Sequence, residues 1–220
     1  MPELVLATQN PGKVAELRDL LAPVGFTVLG LADVFPGELP QEPEETGDTF
    51  LENATIKARA YAAHTGKRCL ADDSGLIVDA LGGAPGVISS HYAFDGRTDG
   101  PAAALSREQR DLANTAKLLA DLECVQFEQR TARFTCTMVL AEPGDSGSRV
   151  LHTAAGNFEG RIGLPTNVPR GHAGFGYDPV FLVPDDYTRT SAELTKDEKN
   201  ALSHRGHAVR AMIEYLNGLR

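Results

Sequence analysis

Strand-like and helix-like periodicities alternate along nearly the whole of this 220-residue chain, and that alternation constrains its fold more than any other feature. Buried-strand patterns occur at Glu3–Thr8, Phe26–Leu29, Arg68–Ala71, Leu76–Ala80 and Pro179–Val183. Helical spacing appears in Val14, Leu17, Leu20 and Leu21 up to Pro23. It recurs from a cap at Asp48 or Thr49 to about His64, where Gly66 suits the helix end. Ser106-x-x-Gln109 and Thr195-x-x-Glu198 have the form of capping boxes. The first opens a helix to about Leu122. The second precedes a terminal amphipathic helix carrying Ala208, Val209, Met212, Ile213 and Leu216 and closed by Gly218. Thr131–Ala141 and Arg149–Phe158, joined by Pro143-Gly144-Asp145-Ser146-Gly147, read as a hairpin, which makes an all-parallel sheet improbable. The class is α/β.

Composition narrows the function. The net charge is −9 and no basic run exists, so a nucleic-acid polymer is a poor partner, since such binding rests on neutralising many phosphates. A small phosphate ligand needs only a few local cations and backbone N–H groups. No stretch reaches the roughly 18 apolar residues of a membrane span, and Met1–Leu6 runs straight into a strand pattern with no leader. The expectation is a cytoplasmic protein without a membrane partner. Cys69, Cys124 and Cys136 show no metal-ligand spacing and are expected to be reduced thiols packed as small apolar residues.

Four groups of residues carry chemistry. Thr8-Gln9-Asn10-Pro11-Gly12-Lys13 follows the first strand and opens a helix. It is a ready anion site, with backbone N–H groups at a helix N-terminus and a flexible cation in Lys13. It is not a nucleotide-kinase phosphate loop, because Val14 follows the lysine where a metal-binding hydroxyl is required. The second group is acidic: Glu42, Glu44 and Glu45 in a Pro- and Glu-rich loop over residues 36–47, and Asp72-Asp73-Ser74-Gly75 between strands. Side chains alternate along a strand, so one of Asp72 and Asp73 faces a given site and the other turns away. One loop Glu and one such Asp suffice for magnesium, whose octahedron is completed by substrate phosphates and waters. Asn53 and Lys57 lie one helical turn apart on the helix between these acidic segments, so Lys57 can reach a phosphate. The third group, Gly171–Asp178, offers close backbone approach, the Phe175 ring for stacking and Asp178 for a base or sugar. The fourth group is Lys196, Lys199, His204 and Arg205, in which Arg or a backbone N–H can donate to a keto oxygen.

Taken in order, these motifs resemble the non-standard purine nucleoside triphosphate pyrophosphatases, the inosine triphosphate pyrophosphatase or Ham1-like family, over essentially the whole chain. The resemblance rests on Thr8–Lys13, Glu44-Glu45-Thr46-Gly47, Phe50–Ala54, Lys57-Ala58, Ala71–Leu76, Gly82–Gly86, Gly174–Pro179, Ala192–Thr195 and Ser203–Gly206. It implies one domain over residues 1–220, an elongated two-lobed α/β fold around a long bent mixed sheet flanked by helices, with the cleft between the lobes. It also implies a homodimer, magnesium, and hydrolysis of XTP, ITP and dITP to the monophosphate and pyrophosphate. By matching motif, Thr8, Gln9, Asn10, Pro11, Gly12 and Lys13 would bind the triphosphate. Glu44 and Asp73 would hold magnesium, and Asp73 would accept a proton from the attacking water. Ser74 would touch substrate and Lys57 a phosphate. Phe175, Gly176, Tyr177 and Asp178 would enclose the base, with Lys199, His204 and Arg205 completing its recognition. His91 stands where similar bacterial chains carry Arg, and the segments Asp95–Ala104 and Glu142–Ser148 look expanded. A nucleotide-binding module without hydrolysis and a pyrophosphatase for modified pyrimidines are the alternatives.

Overall fold

A computed structural model describes residues 1–145, 147–184 and 186–219. The strands are β1 (Glu3–Leu6), β2 (Thr27–Gly30), β3 (Cys69–Val78), β4 (Thr131–Gly144), β5 (Gly147–Ile162) and β6 (Phe181–Leu182). They form one sheet in the order β2-β1-β3-β4-β5-β6. β1 pairs in parallel with β2 and β3, and β5 pairs antiparallel with β6, so the sheet is mixed. The α-helices are α1 (Pro11–Leu21), α2 (Leu31–Val34), α3 (Phe50–Thr65), α4 (Arg107–Asp121), α5 (Lys196–Leu202) and α6 (His204–Asn217).

The chain divides into two compact units. The first comprises Met1–Ser74, Cys136–Gly156 and His204–Arg220, and the second Gly75–Thr135 and Asn157–Ser203. In the first unit the sheet is covered on both faces, and strand alternation sorts its residues between two cores. Leu4, Leu6, Leu70, Met138 and Leu140 pack with Leu17 and Leu21 of α1 and Ala208 and Met212 of α6. Their neighbours Val5, Ala7, Cys69, Ala71, Val139 and Ala141 pack with Ala54, Ala58, Tyr61 and Ala62 of α3. The second unit is built differently. The first half of β4 alternates buried and half-buried residues, and Ala132 and Phe134 join Leu76, Val78, Phe158, Ile162 and Leu118 of α4 in a single core.

Local signals set the helix ends. Thr49, Ser106 and Thr195 each close a capping box, with Glu52, Gln109 and Glu198, and Gly66 ends α3 in the left-handed region at φ 64°. Helix α1 starts at Pro11, ahead of Val14 where the helical spacing begins, because Asn10 caps it and proline at the first helical position loses no hydrogen bond.

Several expectations give way. The two strands expected around Asp72–Gly75 are one continuous strand, β3, because ion pairs compensate its carboxylates inside the sheet. The strand expected over Pro179–Val183 shrinks to Phe181–Leu182, since Asp178–Val180 forms a turn of 3-10 helix. Both hairpin strands run longer than their patterns, and Ser146 of the loop between them lies outside the described residues. Cys69 and Cys136 are buried thiols, whereas Cys124 is exposed just beyond α4. Burial pushes the Cys69 thiol up to about 11. Among the described residues no helix is long and apolar enough to cross a membrane.

Candidate active site

The alternation that builds the first unit's cores also separates its two central carboxylates. Asp72 shares the face of Leu70 and meets α1 and α6, while Asp73 shares the face of Ala71 and meets α3.

On the α3 face, Lys57 is 4% exposed. Its Nζ donates to Asp73 Oδ1 at 3.1 Å and to Glu45 Oε1 at 3.0 Å. Burial works against the ammonium, but Asp73, Glu45 and Asp72 outweigh it and raise its pKa above the ordinary lysine value. Burial raises the Asp73 carboxyl and Glu45 adds to the effect, while Lys57 and Lys13 oppose it without cancelling it. Among the described residues Asp73 Oδ2 is buried with no hydrogen-bond partner, and its desolvation is not offset there. The loop carrying Glu45 is pinned at both ends. Gln9 Nε2 donates to Pro40 O at 2.8 Å, and Gly47 N donates to buried Asn53 Oδ1 at 2.8 Å. A Cβ on Gly47 would lie 2.5 Å from Glu52 Cβ, so glycine is required for this approach. Glu44 is exposed and makes no ion pair or hydrogen bond among the described residues.

On the opposite face, Lys13 Nζ meets Asp72 Oδ2 at 3.0 Å. Arg205 is 2% exposed. It donates to Asp72 Oδ2 from Nη2 at 3.1 Å, to Ser74 Oγ from Nη2 at 3.0 Å and to Glu16 Oε2 from Nη1 at 2.9 Å. Burial pushes the Asp72 carboxyl up, but Lys13, Arg205 and Lys57 overcome it and hold the group well below the usual carboxylate range. Arg205 thus belongs to a buried network of the first unit. Glu16 escaped sequence reasoning, although it lies one helical turn from Lys13. The α1 N-terminus also differs from expectation: Asn10 Oδ1 already accepts from Gly12 N at 3.0 Å and Lys13 N at 3.4 Å, and Pro11 has no N–H. Both parts of the expected anion site are thus engaged within the chain, the helix start by Asn10 and Lys13 Nζ by Asp72.

In the second unit, Asp178 organises the glycine-rich loop. It accepts from Phe175 N at 2.8 Å, Ser191 Oγ at 2.8 Å and Lys199 Nζ at 2.6 Å. Gly174 has φ +81°, and a Cβ there would lie 2.1 Å from Asp178 Oδ2. Gly176 N donates to Asp111 Oδ2 at 3.0 Å, and buried Tyr177 donates its hydroxyl proton to Ser89 O at 2.8 Å. Phe175 is 40% exposed. The loop thus presents an open aromatic ring on a hydrogen-bonded frame. Nothing in the sequence marked Ser191, while Asp111 had one clue, its position a turn after Arg107 in α4. His204 is half-buried at the start of α6, and His91 is half-buried with Nδ1 2.9 Å from Ser90 Oγ.

A model of the Ham1 family matches residues 4–215. The chain belongs to the Ham1 family. Its relatives in that family include the dITP/XTP pyrophosphatase of Nitratidesulfovibrio vulgaris, 51% identical over 96% of this chain and 94% of that protein. The dITP/XTP pyrophosphatase of Bacillus licheniformis is 46% identical, covering 99% of each chain. Among solved structures, the HAM1 protein of Coxiella burnetii matches with a TM-score of 0.79 at 41% identity over 99% of this chain and 100% of that one. The Staphylococcus aureus Ham1 protein matches with a TM-score of 0.76 at 35% identity, again over 99% and 100%. The mixed six-stranded sheet flanked by helices is therefore a Ham1-family fold.

Proposed function

We propose that this chain hydrolyses non-standard purine nucleoside triphosphates, XTP, ITP and dITP, to the monophosphate and pyrophosphate, and so clears them from the nucleotide pool. The observation that carries the reading is the buried Lys57–Asp73 pair with its uncompensated oxygen, Asp73 Oδ2. A buried carboxylate whose pKa is raised and which keeps an oxygen able to take a proton suits a general base. Relatives of near-equal length named dITP/XTP pyrophosphatase support the substrate class.

Lys13 and Lys57 offset the charge of the triphosphate beside Thr8–Gly12, and Ser74 touches the substrate. Asp73 accepts a proton from water as the water oxygen bonds to the α-phosphorus, and the bond from that phosphorus to the bridging oxygen of pyrophosphate breaks. Most of the acceleration comes from orientation and charge placement. Phe175 stacks with the base, Gly176, Tyr177 and Asp178 frame it, and Lys199 and His204 contribute donors. Arg205 acts by holding Asp72 and Ser74 in place.

Magnesium fits the donor set. Among the described residues there is no group of three or more potential ligands, but this cation commonly takes one or two carboxylates and leaves the remainder to phosphates and water. Asp73 Oδ2 is an available oxygen. Glu44 is an uncommitted loop carboxylate among the described residues, whereas Glu45 is engaged by Lys57. Bound there, magnesium supplies positive charge to the phosphate oxygens. A cytoplasmic homodimer belongs to the same reading.

The test is a panel of ITP, dITP, XTP, dTTP, UTP and ATP, with and without magnesium, scored for pyrophosphate against orthophosphate. Pyrophosphate from the 6-oxopurines, only with magnesium, is the expected outcome. Asp73→Asn is expected to lower turnover by about 10²- to 10⁴-fold while the protein stays folded. Orthophosphate alone, or binding without hydrolysis, would reject the reading, and faster pyrimidine turnover would move the substrate class.

A further inference from the structure

Helix α4 opens with a residue that helix energetics do not explain. Arg107 is its first residue, behind the Ser106 cap, and a cation there opposes the helix dipole, unlike its neighbour Glu108. Its guanidinium carbon lies over the Phe175 ring, 4.6 Å from the centroid, within cation–π range. One turn further along α4, Asp111 accepts the N–H of Gly176, the residue after Phe175. The side chains of Arg107 and Asp111 also approach each other, Nε to Oδ2, at 4.0 Å. The first turns of α4 therefore grip the Phe175-Gly176 segment by its ring and by its backbone. Lys199 Nζ is also near the ring, at 5.6 Å, but it is committed to Asp178 at 2.6 Å. Among the described residues Arg107 has no comparably close ion pair, since its carboxylate neighbour stands at 4.0 Å.

We infer that Arg107 is a positioning residue for purine binding, holding the Phe175 ring in the orientation on which a base stacks. This rests on the reading of Phe175 as the base platform. The guanidinium is planar and stacks on an aromatic face in a way an ammonium does not. It orders a ring that is 40% exposed and would otherwise be free to change rotamer. An ordered platform improves substrate binding without touching the reacting phosphorus, so the effect belongs in KM and not in kcat.

Pyrophosphate release from dITP and XTP is measured for wild type, Arg107→Ala, Arg107→Lys, Phe175→Ala and the Arg107→Ala/Phe175→Ala double variant, with thermal unfolding followed for each. Arg107→Ala is expected to raise KM by about two- to fivefold, the size of an exposed cation–π contact, with kcat within about twofold. Arg107→Lys recovers part of the loss, and Arg107→Ala adds nothing once Phe175 is already alanine. An unchanged KM in Arg107→Ala, a fall in kcat alone, or an equal KM increase in the Phe175→Ala background overturns the assignment. If Phe175→Ala itself keeps the wild-type KM, the platform reading fails as well. If Phe175→Ala raises KM and Arg107→Ala does not, only the role of Arg107 is lost.

Discussion

Asp72 and Asp73 are adjacent, carry the same chemical group and are both buried, yet their surroundings drive them in opposite directions. Burial penalises both carboxylates. Asp72 has Lys13 and Arg205 at hydrogen-bonding distance and is held ionised, whereas Asp73 has Lys57 but also the charge of Glu45. The folded-state pKa of Asp72 lies below its unfolded value. Its contribution to stability is therefore fully present above about pH 4 and is lost as pH falls through the depressed folded value. Asp72→Asn would leave Arg205 and Lys13 with a neutral partner in the interior, a loss of about 3–5 kcal/mol at neutral pH. Urea denaturation at pH 7 measures that deficit. The gap between wild type and variant is expected to narrow on acidification below about pH 4, because the unfolded chain then takes up a proton at Asp72 that the folded protein does not. A constant gap from pH 7 to pH 3 would contradict the ion-pair account. These side-chain directions follow from strand alternation, which the sequence declares. The partners do not follow from it: Arg205 stands 133 positions from Asp72, and local spacing says nothing about a contact at that range.

At the level of elements, helix α6 is held against strand β5 by the absence of a side chain. A Cβ on Gly156 would fall 2.3 Å from the carbonyl oxygen of His204 and 2.5 Å from the nitrogen of Ala208. Backbone cannot yield as a flexible side chain can, so α6 would have to lift. Because α6 brings Ala208, Val209, Met212 and Leu216 into the core, and Arg205 into the Asp72 network, the displacement is felt twice. Gly156→Ala is expected to destabilise the protein by about 1–3 kcal/mol, read from the urea midpoint at unchanged slope. A variant as stable as wild type would mean that α6 can lie further from β5. Helix boundaries were the most legible feature of the sequence, because capping boxes and terminal glycines act within four or five residues. Strand boundaries were less so. β3 crosses Asp72-Asp73-Ser74-Gly75 without a break, since ion pairs supplied by α1, α3 and α6 make an acidic strand interior tolerable.

At the scale of the molecule, neither compact unit is a continuous stretch of chain: the first draws on three segments and the second on two. The first unit covers its sheet on both faces and carries the Lys57–Asp73 and Arg205–Asp72 pairs. The second carries the Asp178 loop and the exposed Phe175 ring. The homodimer of the proposed reading is a property of this scale. Light scattering on the purified protein is expected to give twice the chain mass at micromolar concentration, and a monomer throughout would remove the dimer from the proposal without touching the chemistry.

Periodicity, caps and motif order sufficed to establish an α/β class, most helix ends and the Ham1-family resemblance, because each is written in contacts a few positions apart or in the order of motifs along the chain. The tertiary structure alone decided which carboxylate meets which cation. It assigned Glu45 to Lys57, turned Arg205 inward to Asp72, closed the α1 N-terminus with Asn10 and brought Arg107 over Phe175. Those choices depend on how helices dock on the faces of a sheet, and docking joins residues that the chain keeps far apart.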